Sequence, residues 1–183
     1  MDKLDIVTDE SGNKVVLLPE IIFSNKQNIN WDDVEDYLGK YVGELIEIAE
    51  TRDIIYIGNK FPDEYGGSSY TRKTKGARAK AKANAAQGIR EMVEIATDKV
   101  YRENHKEKHS EDAHNGWFYY VTRFAIPLYD NEKKTGEYNV YSACLVVNHA
   151  ANGKMYLYDV VDIKKKRVTH SRLSSSQVVQ NRF

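Results

Sequence analysis

The chain has 183 residues, 41% of them hydrophobic, with three prolines and 27 basic against 27 acidic side chains. That size and apolar content suit a single α+β domain able to bury its own core. A net charge of zero removes any whole-molecule attraction to nucleic acid or membrane, no apolar span approaches the roughly twenty residues of a membrane helix, and a single cysteine, Cys144 in "YSACLVV", excludes an internal disulfide.

Charge is nevertheless segregated along the chain. Residues 1–50 carry 12 acids against 4 bases, residues 71–82 ("TRKTKGARAKAK") hold 6 bases and no acid, and "KKKR" follows at 164–167. The start, "MDKLDIVTDE", lacks the basic n-region and apolar core of a secretory signal, so a reducing, cytoplasmic setting without membrane attachment is expected.

Residues 1–30 read as an N-terminal extension holding one strand-like piece, "KVVLLPEIIF", interrupted by Pro19. A helix is expected from about 32 to 51, capped by Asn30 or Asp32, with Val34, Leu38, Val42, Leu45 and Ile48 at helical spacing. "DIIYIGN" (53–59) reads as a strand and "KFPDEYGGSSYT" as a loop. Residues 73–99, rich in Ala, Lys, Arg, Gln and Glu, predict the longest helix. Three strands follow at 116–128, 137–149 and 154–166, the last two joined by the Asn-Gly turn of "AANGK". The expected fold is α+β, with helices on one face of a mainly antiparallel, about four-stranded sheet spanning 31–166, and a flexible Ser-rich tail over 167–183.

Four strings, "DEYGGSSYT", "KAKANAAQGIREMVEIA", "GWFYYVTRFAIP" and "KMYLYDVVDIKK", stand in the order of motifs found in phage and mobile-element nuclease domains. Over roughly residues 53–166 the chain resembles the barnase–EndoU–colicin–RelE-like domains carried by large polyvalent proteins. The resemblance implies a helical segment packed on a four-stranded antiparallel sheet and a metal-independent ribonuclease that needs no cofactor. RNA is then the expected partner, with an inhibitor or antitoxin protein a further candidate.

The residues can be weighed for that chemistry independently. Attack of a 2′-hydroxyl on the adjacent phosphorus needs a base, an acid for the leaving oxygen, and cations at the phosphoryl oxygens. Three of the five histidines, His105, His109 and His114, precede the 116–128 strand, and imidazole is the side chain suited to acid or base work because its unperturbed pKa is close to neutral. The family pattern favours His109 among them. Arg123 offers a bidentate fork, and strand alternation sets Trp117, Tyr119, Val121 and Arg123 on one face, with Phe118, Tyr120, Thr122 and Phe124 on the other. The run at 71–82 reads either as a solvated helix start or as an anion site, the second because cations at the start of a helix oppose its dipole unless an anion sits there.

The expected catalytic set is therefore His109, Arg123 and Lys80. Lys82, Arg78, Tyr65, Tyr70 and Tyr119 form the expected RNA-binding set, the tyrosines as stacking surfaces. Competing structural readings stand beside these. The histidines fit a solvated loop, Arg123 fits a pair with Asp159 or Asp162, and Asp159, a lone carboxylate on an apolar face, needs a buried partner. A zinc site is disfavoured because no HExxH surrounds the histidines. The rival functions are a catalytically silent RNA- or protein-binding module and a regulatory protein whose acidic helix masks the basic segment.

Overall fold

The structure, a computed structural model, describes residues 2–24, 28–104, 113–166 and 172–173. Its elements are β1 (Ile6–Thr8), β2 (Lys14–Leu17), α1 (Trp31–Leu38), β3 (Leu45–Glu47), β4 (Ile54–Tyr56), α2 (Phe61–Gly67), α3 (Ser69–Lys73), α4 (Gly76–Ala85), α5 (Ile89–Glu94), β5 (Thr97–Arg102), β6 (Trp117–Asp130), β7 (Lys133–His149), β8 (Met155–Lys165) and β9 (Arg172–Leu173). The α+β class is as expected, but the sheet is larger than about four strands and partly parallel. Among the described residues it has nine strands, in the order β1-β2-β6-β7-β8-β4-β3, with β5 added to β6 and β9 to β7. The β2–β6 and β4–β8 joints are parallel. Segment 1–30, expected as an extension, supplies β1 and β2 to this sheet.

The long hairpin of β6 and β7 is the spine of the fold. It closes through Asn131 and Glu132, both at positive φ (48° and 67°), the backbone of a tight turn whose twist matches that of the strands. The Asn-Gly turn into β8 is also present, with Gly153 at φ 84° and the Ala150 N–H donating to the Lys154 carbonyl at 2.9 Å. Alternation along β6 is as predicted: Tyr120, Thr122 and Phe124 are buried, while Trp117, Tyr119, Val121 and Arg123 are half-exposed.

All five helices lie on the Tyr120/Phe124 face. Val34 and Leu38 of α1, Phe61 and Tyr65 of α2, the alanines of α4, and Ile89 and Met92 of α5 join Leu145, Leu157 and Val160 in one core. A smaller cluster, Val7, Val15, Leu17, Ala125 and Val140, fills the corner of the opposite face.

Two helices differ in extent from the sequence reading. The first helix ends at Leu38, continues as a single 3₁₀ turn to Tyr41 and stops before Gly43 (φ 94°). Leu45 and Ile48, expected on its apolar stripe, belong to β3 and its exit, where Leu45 points outward at 60% exposure and Ile48 is buried. The long helix begins at Gly76, is interrupted by a 3₁₀ turn over Ala86–Gly88 and ends at Glu94. At that interruption a Cβ on Gly88 would stand 3.1 Å from Leu18 and 3.3 Å from Val16, so close packing on the β2 segment favours glycine there. The segment 60–71, expected as a loop, forms α2 and α3. No helix among the described residues is long and apolar enough to cross a membrane.

Candidate nucleic-acid interface

The sheet face turned away from the helices carries a row of side chains set by strand register. Arg102 of β5 is opposite Trp117 of β6, Trp117 opposite Asn148 of β7, Asn148 opposite Tyr156 of β8, and Tyr156 opposite Tyr56 of β4. Because direct cross-strand neighbours share a face, these residues form a band across five strands. Tyr158 and Tyr119 widen it. The Trp117 and Tyr158 rings meet edge to face at 5.0 Å, and Tyr56 and Tyr156 lie 5.7 Å apart. Cations sit over the rings: the Arg102 guanidinium is 5.4 Å from the Tyr119 centroid and the Lys154 ammonium 5.0 Å from that of Tyr56. The Trp117 Nε1–H donates to Asn104 Oδ1 at 3.4 Å, tying the end of the β5 segment to the band.

Six residues further along β6, roughly 20 Å at about 3.3 Å per residue, Arg123 shares a second cross-strand row with Ser142 and Lys164. Its Nε is buried and has no hydrogen-bond partner among the described residues. Neither Asp159 nor Asp162, the carboxylates expected beside it, pairs with it. Between the two rows, burial raises the Tyr119 hydroxyl, with Arg102 opposing and Cys144 and Asp162 reinforcing the shift. Burial, then the Asp162 charge, pushes the Cys144 thiol up to about 11, which leaves it a poor nucleophile at neutral pH.

Where β4 and β8 part, the sheet opens into a crevice. Their parallel pairing covers only Ile55 to Met155 and Tyr56 to Tyr156. Beyond Tyr56 the chain turns through Gly58 into α2 while β8 runs on. The gap holds about 250 Å³, lined by Asn59, Lys60, Phe61 and Glu64 on one side and by Asn148, Ala150, Tyr156, Leu157 and Tyr158 on the other. Tyr156 packs so near Gly58 that a Cβ there would stand 3.3 Å from its ring.

The predicted RNA-binding residues of the helical side divide differently. Lys82 is not at the surface: its side chain is 0% exposed and its Nζ lies 2.6 Å from Asp159 Oδ1. Tyr65 is also fully buried, its hydroxyl donating to the Lys82 carbonyl and its ring 4.6 Å from the Lys82 ammonium. Tyr70 is half-buried, stands 5.0 Å from the same ammonium and accepts a hydrogen bond from the Ile163 N–H at 2.9 Å. This is an internal ion pair in an aromatic cage, in which Lys82 and Tyr65 are sealed from solvent and Tyr70 is half-buried. Burial pushes Lys82 down and Asp159 up, while their mutual attraction and, for Asp159, the Val160 N–H oppose both shifts. The acid on an apolar face does have its partner, a lysine rather than an arginine.

Arg78 is exposed and Lys80 half-exposed on α4, on the helix side of the sheet. They are therefore not brought together with Arg123 and Tyr119, which face the other way. His105 and His109 lie outside the described residues. His114 is exposed in the turn before Gly116, and His149 packs its ring 5.5 Å from Phe118 on the helix side. Among the described residues no group of three or more His, Cys, Asp or Glu side chains is placed to hold a metal ion.

Sequence reasoning set Trp117 beside Tyr119 and Arg123 but did not name it as a site residue, and it missed Tyr156, Tyr158, Lys60 and Glu64. The alternation of "KMYLYD" was the available signal for the two tyrosines. Nothing local joins them to Lys60 and Glu64, which lie about a hundred residues earlier in the chain. No protein-family model, curated protein or solved structure matches this chain.

Proposed function

We propose that the open face of the sheet binds single-stranded RNA and that the chain acts there as a metal-independent endoribonuclease. The observation that carries the reading is the band of Trp117, Tyr119, Tyr156, Tyr158 and Tyr56, interleaved with Arg102 and Lys154 on one exposed sheet face. Aromatic faces stack unpaired bases without regard to sequence, at about 1–3 kcal/mol per base, and cations follow the backbone. Arg123, half-exposed on the same face, offers the guanidinium fork that suits a phosphoryl oxygen.

Cleavage adds a base and an acid. In this proposal His109 takes that part; before its segment Asn104 accepts a hydrogen bond from the Trp117 indole of the band, and after it the chain enters β6 at Trp117 itself. A second reading, a binding module that does not cut, is favoured by one observation: among the described residues no imidazole is fixed in the band.

The deciding experiment incubates the intact chain with mixed RNA in EDTA. Cleavage leaving 2′,3′-cyclic phosphate ends, reduced by about two to four powers of ten in His109→Ala with binding intact, supports the ribonuclease. Binding without cleavage leaves the silent module. Arg123→Ala should flatten the dependence of log affinity on log salt by about one phosphate contact, whereas Arg78→Ala, on the helix side, should leave the slope unchanged. The reverse pattern would move the interface to the helices.

A further inference from the structure

Past the aromatic band the open face carries the row of Arg123, Ser142 and Lys164, and from Lys164 a strip of cations continues around the edge of the sheet onto the helices. We propose that this strip holds a paired stem of the RNA whose single strand lies on the open face, so that the substrate is a single strand flanked by a duplex; the proposal rests on the single-stranded RNA reading above.

Topology brings the strip together. β4 pairs with β8 only at Met155 and Tyr156, so among the described residues no strand covers that edge of β8 further along. Helices α3 and α4 lie there instead: the Ile163 N–H donates to Tyr70 Oη at 2.9 Å, and Lys82 of α4 reaches Asp159. These contacts set Arg72 and Lys73, which follow Tyr70 on α3, within a few residues of Lys164 and Lys165, with Lys75 and Arg78 next along the chain. All of these cations are exposed, and none has an ion-pair partner among the described residues. No acid occurs between Glu64 and Glu91, and Asp162 is the acid next to them on β8. Helix α4 opens with no side-chain cap and no acid in its first turn, an arrangement of cations against the dipole that an anion relieves.

What the strip lacks identifies its partner. None of the exposed large apolar side chains lies within residues 65–90 or 160–166. Tyr70, the ring nearest the strip, is half-buried, its ring 5.0 Å from the Lys82 ammonium and its hydroxyl taken by the Ile163 N–H. A single strand is held through ring faces that stack its bases, and a stable protein interface is anchored by buried aromatic side chains; the strip offers neither. A duplex keeps its bases stacked inside and presents phosphates, and paired RNA is held largely through its backbone and shape. Unpaired surface cations suit that ligand, because each phosphate they neutralise releases counterions. Arg123 and Lys164 join the two surfaces, one stacking unpaired bases and the other following phosphates.

The test is fluorescence anisotropy of the full chain, over a range of salt, with octauridylate, with a blunt RNA duplex, and with the same duplex carrying an octauridylate overhang. The overhang duplex should bind at least about tenfold more tightly than either part, since both surfaces then act on one molecule. Lys73→Ala with Lys75→Ala should lower the slope of log affinity against log salt by about two for the duplex and leave it unchanged for octauridylate, as for Arg78→Ala above. An unchanged duplex slope, an equal fall for octauridylate, or an overhang duplex no tighter than its parts overturns the proposal. So does displacement of the duplex by polyglutamate at an equal concentration of charge, which would make an acidic protein the partner. Octauridylate binding without duplex binding overturns the strip and leaves the sheet-face reading standing; duplex binding without octauridylate binding overturns that reading and the joined substrate with it; binding of neither overturns both.

Discussion

Asp159→Asn should be among the most damaging single substitutions in this chain, although it changes only one atom of the side chain. The carboxylate and Lys82 are 4% and 0% exposed and 2.6 Å apart. Lys82 would stay in place among Tyr65 and Tyr70 with no counter-charge. Removing one partner of a buried pair costs about 3–5 kcal/mol, because the remaining charge is uncompensated. At roughly 2–4 °C per kcal/mol for a chain of this size, the melting temperature should fall by on the order of 10 °C. A pH signature separates this cause from ordinary loss of packing. Burial already lowers Lys82, and Asp159 opposes that shift; without Asp159 the folded lysine binds its proton more weakly still. The unfolded state then binds more protons than the folded state, so the variant gains stability as pH rises from the depressed folded value toward about 10.4, the ordinary lysine value. Urea unfolding followed by circular dichroism at pH 7 and pH 9 measures both effects. The double variant Lys82→Met with Asp159→Asn should recover much of the loss, since no charge remains buried. A cost under about 1 kcal/mol, the range of an exposed pair, together with no pH dependence, would refute the reasoning.

Two further outcomes follow from particular contacts. Partial burial works to raise the Asp53 carboxyl, but hydrogen bonds from Lys99, Thr51 and Tyr120 outweigh it and hold it below the ordinary value. Its stabilisation is therefore complete above the unfolded value of about 3.9 and is lost as pH falls through the lower folded value. Asp53→Asn should flatten that acid limb in a stability-against-pH profile, and an unchanged limb would contradict the assignment. Gly116 sits at φ 97°, and a Cβ there would meet the Arg102 carbonyl oxygen at 2.7 Å. Gly116→Ala should cost more than Gly153→Ala, whose φ of 84° brings the backbone strain of about 1–3 kcal/mol but whose surroundings are open; equal melting temperatures for the two variants would refute the steric argument.

Much of the β-structure was legible because alternation is a local property. The faces of β6 and the Asn-Gly turn could be read from neighbouring residues alone. Alternation misled on β8, where register shifts leave extra residues near Tyr158 and Asp162, the latter at φ 51°. Strict alternation from Leu157 would bury Val161, yet Leu157, Val160 and Ile163 are the buried apolar residues and Val161 is half-exposed. A bulge adds a residue without leaving a strong mark in composition. The helix reading of 32–51 failed for a related reason, since apolar residues at helical spacing can equally come from a short helix followed by a strand.

The sequence by itself determined the α+β class, the hairpins at the C-terminal end, the need of Asp159 for a partner, and the face shared by Trp117, Tyr119 and Arg123. Tertiary structure alone decided which basic residues reach solvent. Lys80 and Lys82 are two residues apart in one run of bases, yet one is half-exposed and the other is sealed against Asp159, 77 positions later in the chain. From Ala79 onward helix α4 is buried at every position but Lys80, so the position of its lysines is set by what packs over them. The candidate site has the same origin: β5, β6, β7, β8 and β4 come from distant parts of the chain, and only their pairing sets Arg102, Trp117, Asn148, Tyr156 and Tyr56 in one row.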